Sequence, residues 1–262
     1  MTTSPEPTTR RVVLITGAAS GLGAATARRF LREGWQVVIN HLDAGQKAAA
    51  AEIAALASAP GQRAIAVEAD VTRDDDCVRL VQAAVDAFGR LDALVNAAGI
   101  SKMVAHPQLH DLSADDFQRI YAVNTVGPFL MTRAAAPHLK AAGKASVVNI
   151  SSRAGIAGSG SSIAYAASKG ALNTMTLSLA RVLAPEVRVN AVCPVLVEGG
   201  FVERLAPESF AQRREHQIKV TPLHRIGHPD EVAETIHWLT TGASMMTGAI
   251  VELDFGLHLN AV

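Results

Sequence analysis

The chain has few cysteines, no long apolar runs and no excess of charge of either sign, and each shortage excludes a class of protein. No window approaches the ~18 consecutive apolar residues of a membrane span. Cys77 and Cys193 lie far apart and match no metal or redox spacing. With 24 basic and 24 acidic residues, the chain offers no net charge to attract nucleic acid or an anionic membrane. We therefore expect a soluble protein of a reducing compartment, most simply the cytoplasm.

The distribution of residue types along the chain predicts a short tail followed by a single folded domain. Residues 1–10, MTTSPEPTTR, contain two prolines and no apolar run, so we expect a disordered N-terminal tail and no signal peptide. No linker, charge run or long-period repeat divides residues 11–262, which we expect to fold as one unit. The nine histidines lack metal-binding spacings such as His-Glu-x-x-His, so we predict no catalytic metal.

Short β-branched runs alternate along the chain with longer alanine-rich stretches of helical period, a rhythm that predicts βαβ units. The runs lack period-two alternation, which indicates strands covered by helices on both faces and hence a mainly parallel sheet. Asp43 is the predicted N-cap of the helical stretch 43–58. We predict an α/β fold whose seven strands are 11–16, 36–40, 63–69, 91–96, 145–151, 187–192 and 249–253.

A glycine-rich segment, TGAASGLG at residues 16–23, follows the first predicted strand and opens a helical pattern. Gly17, Gly21 and Gly23 would let the backbone turn tightly and approach a ligand closely. The helix start offers unpaired N–H groups and the positive end of the helix dipole to a pyrophosphate. The segment predicts a dinucleotide site, with a turn needed only for packing as the alternative.

The chain contains only two tyrosines, and Tyr165 stands four residues before Lys169 in the segment YAASK. At positions i and i+4 of one helix, the two side chains share a face. The ammonium would favour the phenolate and lower a tyrosine pKa from its ordinary value near ~10 toward working pH. Tyr165 could then act as a general acid and base, with a buried packing role as the alternative.

Five motifs in a fixed order resemble those of the short-chain dehydrogenase/reductase family over residues 11 to about 258: TGAASGLG, NAAG at 96–99, Asn124, the serine pair 151–152 and YAASK. The resemblance implies a doubly wound Rossmann fold, NADP or NAD as cofactor, and an enzyme that interconverts an alcohol and a ketone. It also implies a catalytic tetrad of Asn124, Ser152, Tyr165 and Lys169, in which the interval before Tyr165 selects Ser152 over Ser151.

The resemblance gives each tetrad residue a role. Tyr165 would protonate the carbonyl oxygen, and Ser152 would hold that oxygen by a hydrogen bond. Lys169 would also bind the ribose hydroxyls, and Asn124 would hold a water that links Lys169 to solvent. Two other classes of function compete with catalysis: a cofactor-binding redox sensor without turnover, and an S-adenosylmethionine-dependent methyltransferase on a similar scaffold, for which nothing requires Tyr-x-x-x-Lys.

The same resemblance implies the cofactor contacts. Asp70 and Val71 would bind the adenine, although Asp70 could equally be a helix N-cap. His41 stands where an acidic residue would select NAD. No arginine accompanies it, and Ser20 replaces the basic residue of many NADP enzymes, so the choice between NAD and NADP stays open. His41 could also be an exposed loop residue without a role. The expected contacts are Gly17, Ser20, Gly21, Leu22, Gly23, His41, Asp70, Val71, Asn96, Ala97, Gly99, Tyr165, Lys169, Pro194 and Val197.

The C-terminal third departs from the family pattern and carries the expected substrate determinants. Val195 and Glu198 stand where the family has a glycine and a threonine, so we expect the backbone N–H of Val197, and not a hydroxyl, to hold the carboxamide. Residues 198–225 are the expected mobile lid, whose basic residues could meet an acidic substrate or form a solvated face. Phe255 could shape the pocket or a subunit contact. We expect a homotetramer with interfaces on the apolar helices 112–141 and 163–183.

Overall fold

The computed structural model of the protein describes residues 10–260. The predicted N-terminal tail lies outside this range except for Arg10. The guanidinium of Arg10 donates hydrogen bonds to the carbonyl oxygens of Gly34, at 2.9 Å, and Pro60, at 2.8 Å. These two bonds hold the Arg10 side chain against the segments around Gly34 and Pro60, and the prediction for residues 1–9 lies outside the described residues.

The described chain forms one seven-stranded sheet in the order β3-β2-β1-β4-β5-β6-β7. Every neighbouring pair of these strands is parallel, which confirms the predicted sheet. The strands differ from the predicted runs only at their ends. They are β1 (Val12–Ile15), β2 (Gln36–His41), β3 (Ala64–Glu68), β4 (Ala93–Asn96), β5 (Ala145–Ile150), β6 (Val187–Pro194) and β7 (Ile250–Leu253).

Helices cover both faces of this sheet, as the uninterrupted apolar strands require. One core packs Phe30 and Ile236 against the β1 side chains of Val13 and Ile15. The other packs Leu80 and Met131 against the alternate β1 side chains. The helices are α1 (Gly21–Arg32), α2 (Lys47–Ala54), α3 (Asp74–Phe88), α4 (Ala114–Tyr121), α5 (Gly127–Ala142), α6 (Ala154–Ala157), α7 (Ile163–Leu183), α8 (Phe201–Leu205), α9 (Pro207–Val220) and α10 (Pro229–Thr241).

The strand order reverses between β1 and β4, and this reversal positions the candidate site. β1 pairs with β2 on one side and with β4 on the other. The loops that leave β1 and β4 therefore diverge and open a crevice at the carboxyl ends of the strands. The glycine-rich segment and the NAAG segment both begin at this crevice.

The outer surfaces of α4, α5 and α7 retain apolar side chains at the surface. Phe117 and Tyr121 on α4, Phe129 on α5 and Val182 on α7 are all exposed. These helices correspond to the two segments, 112–141 and 163–183, expected at subunit interfaces. Among residues 10–260, no helix has both the length and the apolar character needed to cross a membrane.

A glycine contact fixes the short helix α6 against α7 beside the catalytic candidates. A Cβ atom added to Gly155 would lie 2.4 Å from the carbonyl carbon of Lys169 and 2.6 Å from the amide nitrogen of Gly170. Real Cβ atoms do not approach backbone this closely, so only glycine allows the observed packing. The segment that carries Ser152 thereby lies directly against the helix that carries Tyr165 and Lys169.

Gly155→Ala should therefore separate α6 from α7 and lower the free energy of unfolding by about 1–3 kcal/mol, the usual cost of overpacking. Gly45→Ala is the matched control, because its added Cβ would meet only a side-chain oxygen of Asp43, at 3.1 Å. Denaturant unfolding of both variants measures the effect. Equal stability of the two variants would contradict the close packing of α6 on α7.

Candidate active site

The glycine segment forms a tight turn at the N-terminus of α1. Gly17 has φ +59° and Gly21 has φ +54°, conformations that favour glycine. A Cβ on Gly17 would lie 2.7 Å from the Cα of Ala98, and one on Gly23 would lie 2.4 Å from the Gly17 carbonyl oxygen. Ser20 precedes α1, but its side chain caps no N–H of the helix. The turn thus leaves the helix N-terminus accessible to a ligand, as an anion site requires.

Two polar residues that the sequence analysis did not single out hold this turn in place. The side-chain oxygen of Asn40, at the end of β2, accepts a hydrogen bond from the Gly17 amide at 3.1 Å. The Thr16 hydroxyl oxygen accepts hydrogen bonds from the amides of Ala97 and Ala98, both at 3.0 Å. Thr16 therefore joins the glycine turn to the NAAG segment across the reversal of strand order. In the sequence, only the positions of Thr16 and Asn40 at the ends of predicted strands could have indicated this role.

Ser152, Tyr165 and Lys169 lie together at the carboxyl end of β5. The Lys169 ammonium donates a 2.8 Å hydrogen bond to the carbonyl oxygen of Ile150, the last residue of β5. Its nitrogen lies 5.8 Å from the centroid of the Tyr165 ring. The Ser162 side chain caps α7 by accepting a hydrogen bond from the Tyr165 amide at 3.3 Å. This cap fixes the start of the helix and hence the position of Tyr165.

Burial shifts the two titratable groups of this site in opposite directions. It raises the pKa of Tyr165 to about 12, and a hydrogen bond with Ser152 offsets only part of that rise. It lowers the pKa of Lys169 to about 8 because the ammonium loses hydration. In the protein alone, desolvation of the phenol thus outweighs the hydrogen bond with Ser152, and the pKa of Tyr165 shifts upward, opposite to the direction expected from a nearby cation.

Asn124 is fully buried in a single π-helical turn, Ala122–Val126, between α4 and α5. Its side-chain oxygen accepts a 2.9 Å hydrogen bond from the Ile100 amide, and its side-chain amide donates to the Ile100 carbonyl at 3.0 Å. It also donates to the Ser168 hydroxyl at 3.0 Å. Asn124 thus ties the NAAG loop to α7 one residue before Lys169, a connection that the motif alone could not reveal.

A cavity of about 1430 Å³ joins the glycine turn to the Tyr165 region. The cavity therefore brings together residues from segments far apart in the sequence. The predicted site residues that line it are Gly17, Ser20, Gly21, Leu22, Gly23, Asp70, Val71, Ala97, Gly99, Ser152, Tyr165, Lys169, Pro194 and Val197.

The cavity lining does not include His41, Asn96 or Asn124. β2 continues through His41, so strand alternation directs Asn40 to the turn and His41 to the covered face, where its ring contacts the Asp43 carbonyl at 2.9 Å. His41 is only 3% exposed and belongs to β2, so the interpretation of it as an exposed loop residue is wrong; its role as a ribose contact stays a prediction. Leu42, half exposed, lines the cavity instead.

Asn96 and Asp70 have local partners that define what they can do. The Asn96 amide donates a 2.8 Å hydrogen bond to Asn149 inside the sheet, so its side chain supports β4 against β5 and does not reach the cavity. Asp70 accepts hydrogen bonds from the amide and hydroxyl of Thr72, through one carboxylate oxygen. Arg73, not Asp70, occupies the N-cap of α3, which excludes the capping alternative. By contrast, Asp43 does cap its helical segment, at the Gln46 amide.

The predicted lid folds into α8 and α9, and both helices line the cavity. Phe201 on α8 meets Tyr165 edge to face, with ring centroids 6.2 Å apart. Among the basic residues of this segment, Arg204 and Arg213 line the cavity, whereas Arg214 and Lys219 do not. The solvated-face interpretation therefore applies to only part of the lid.

Phe255 does not line the cavity, although we expected it to shape the pocket or a subunit contact. Its ring instead lies 4.5 Å from the guanidinium carbon of Arg225, at the base of the lid. Leu257, two residues later, contributes the lining from this segment. The backbone turns at Phe255, with φ +55°, which carries the chain past the cavity edge.

Comparison with known proteins shows the family of this arrangement. A family model described as enoyl-(acyl carrier protein) reductase matches residues 17–258. A solved structure from Burkholderia xenovorans, described as a short-chain dehydrogenase/reductase, superposes with a TM-score of 0.89 at 41% identity and covers 96% of this chain and 99% of its own. The chain belongs to the short-chain dehydrogenase/reductase family and is an NAD(P)-dependent oxidoreductase.

Curated relatives of this chain act on different molecules. A Streptomyces violaceoruber protein assigned as ketoacyl reductase 2 of the granaticin polyketide synthase is 40% identical, over 95% of this chain and 96% of its own. The cis-4-hydroxycyclohexanecarboxylate dehydrogenase of Sinomonas cyclohexanicum is 37% identical, over 94% of this chain and 96% of its own. Both names describe oxidoreductases, and the substrates that they name differ.

The raised pKa of Tyr165 predicts a late phenol titration in the protein alone. The folded protein should hold this proton above the ordinary value near ~10 and release it only toward about 12. The difference in absorbance at 295 nm between wild type and Tyr165→Phe should accordingly stay flat through pH 10. A rise below pH 10, with near-ultraviolet circular dichroism unchanged, would contradict the desolvated phenol.

Proposed function

We propose that the protein interconverts an alcohol and a ketone, with Tyr165 as general acid and base. The observation that supports this most directly is the single cavity that is lined both by Ser152 and Tyr165 and by the glycine turn at the N-terminus of α1. The proposal explains why the buried Lys169 ammonium lies 5.8 Å from the ring centroid of the partly exposed Tyr165, at the wall of the cavity. It also disfavours a binding-only sensor, which would not require this pair.

The residues of the crevice fit a nicotinamide dinucleotide. Glycines 17 and 23 keep the turn free of side chains, and a Cβ at either would collide with backbone. The α1 N-terminus would receive the pyrophosphate. Asp70, whose second carboxylate oxygen accepts no hydrogen bond from the described residues, would accept one from the adenine amine. When bound, the nicotinamide supplies or accepts the hydride.

The protein's own residues would then divide the remaining work. Ser152 would donate a hydrogen bond to the substrate oxygen, and Tyr165 would pass a proton to that oxygen in the direction of reduction. Lys169, with its pKa near 8, would bind the ribose hydroxyls and stabilise the phenolate left behind. Asn124 would hold the water through which Lys169 regains a proton. The NAAG segment would position the ribose of the cofactor through Ala97 and Gly99.

We further propose a homotetramer in the cytoplasm. The exposed apolar side chains of α4, α5 and α7, among them Phe117, Phe129 and Val182, are the surface that subunit contacts would cover. A buried interface would remove these side chains from water, and none of the three lines the cavity. These side chains belong to segments 112–141 and 163–183, in which we expected the subunit interfaces from the sequence.

Substitutions at the paired residues should separate catalysis from cofactor binding. Tyr165→Phe removes one oxygen, so turnover should fall by roughly 10² to 10⁴ while cofactor affinity stays unchanged. Lys169→Met removes a charge and a ribose ligand, so it should lower both turnover and affinity. Absorbance at 340 nm with a panel of ketones measures the first, and fluorescence titration measures the second. A Tyr165→Phe protein with normal turnover would show that this tyrosine serves packing.

Leu42 is the cavity residue that should influence the choice between NADP and NAD. It is half exposed and lines the cavity beyond β2, where an added cation could meet a 2′-phosphate. Leu42→Arg should strengthen NADPH binding by roughly fivefold to tenfold, allowing for solvent screening, and leave NADH unchanged. Leu42→Gln, which adds no charge, is the matched control in the same titration. Equal gains for both variants or both cofactors would place the ribose elsewhere.

A further inference from the structure

Arg204 on the lid helix α8 reaches across the crevice to the glycine turn. Its Nη1 donates a 3.0 Å hydrogen bond to the Ser20 hydroxyl oxygen. Its Nη2 lies 3.7 Å from the point where a Cβ on Gly21 would stand. Ser20 is the N-cap of α1, so the guanidinium stands beside the N-terminus of the helix that would receive the pyrophosphate.

No carboxylate neutralises Arg204 among residues 10–260. The neighbouring Glu203 is engaged elsewhere, since it accepts a 2.7 Å hydrogen bond from the Gly199 amide. The first turn of α1 contains no acidic residue, and Ser20 gives it no side-chain cap. An exposed guanidinium and the positive end of a helix dipole thus lie side by side, and an anion between them would stabilise both.

The other end of α8 contacts the catalytic tyrosine. The guanidinium carbon of Arg204 lies 5.4 Å from the centroid of the Phe201 ring, on the same helix. The Phe201 ring in turn meets Tyr165 edge to face, and its tip lies 3.7 Å from the Cβ position of Gly99. The short helix therefore spans the crevice from the glycine turn to Tyr165.

We propose that Arg204 binds the pyrophosphate of the cofactor and thereby holds α8 over Tyr165, an inference that rests on the proposed function. The phosphate oxygens would replace the Ser20 hydroxyl as acceptors, and the planar guanidinium can bind two of them at once. Phe201 would then cover the phenol and exclude water from it. Arg204 is in this way a cofactor ligand that couples binding to closure of the lid.

Titrations of NADH, NADPH and ADP into wild type, Arg204→Gln and Arg214→Gln test the proposal by calorimetry. All three ligands contain a pyrophosphate, so Arg204→Gln should raise the three Kd values by the same factor, about tenfold or more. Arg214→Gln is the control, because Arg214 is an exposed residue of the same lid that does not line the cavity. It should leave all three Kd values unchanged.

Cleavage of the lid by a glutamate-specific protease gives a readout independent of affinity. Glu203, Glu208 and Glu215 lie in the lid segment. Saturating NADH should protect these sites in wild type and in Arg214→Gln, and should leave them cleavable in Arg204→Gln. Thermal unfolding of the variants without ligand checks that their folds are intact.

Two results would overturn the role of Arg204 and leave the proposed function intact. One is that the Kd values of Arg204→Gln equal those of Arg214→Gln. The other is a loss of affinity confined to NADPH, which would place the guanidinium on the 2′-phosphate. Failure of the wild-type protein to bind any of the three ligands would overturn the proposed function and the role of Arg204 together.

Discussion

The parallel register of the sheet is the constraint on which the candidate site depends. Because all seven strands run in the same direction, the glycine turn after β1, the NAAG segment after β4 and Ser152 after β5 all emerge at one edge. The reversal of order between β1 and β4 separates their loops and opens the cavity there. The side-chain oxygens of Thr16, Asn40 and Asn124 accept hydrogen bonds from backbone amides of these loops and so fix the loops to one another.

Close backbone contacts convert this layout into a precise site. Gly155 lets α6 lie against α7, so the segment after Ser152 meets the turn of helix that carries Lys169. Lys169, 3% exposed, is then held with its ammonium at the Ile150 carbonyl, 5.8 Å from the centroid of the Tyr165 ring. Burial of this cation lowers its pKa and burial of the phenol raises its own, so each group is held in a state that a bound cofactor could change.

Periodicity was sufficient to predict the sheet and the glycine turn, and the resemblance to the family implied the grouping of Ser152, Tyr165 and Lys169. Side-chain direction at strand ends was not predictable in the same way. β2 extends one residue further than predicted, which places His41 on the covered face and Leu42 in the cavity. The positions of Phe255 and Arg204 were not predictable for similar reasons. A positive φ angle redirects the chain at Phe255, and the short helix α8 brings Arg204 to the glycine turn, which is far away in the sequence.

Hydride transfer in this cavity, between a nicotinamide and a carbonyl carbon beside Tyr165, is the reaction that we propose. Its most direct test is incubation of the protein with NADH or NADPH deuterated at carbon 4, in separate stereochemical forms, and a panel of ketones, followed by mass spectrometry of the alcohols. One stereochemical form should deliver deuterium to the carbinol carbon of at least one product. Oxidation of the cofactor without deuterium in any product, or no alcohol from any ketone, would contradict this proposal.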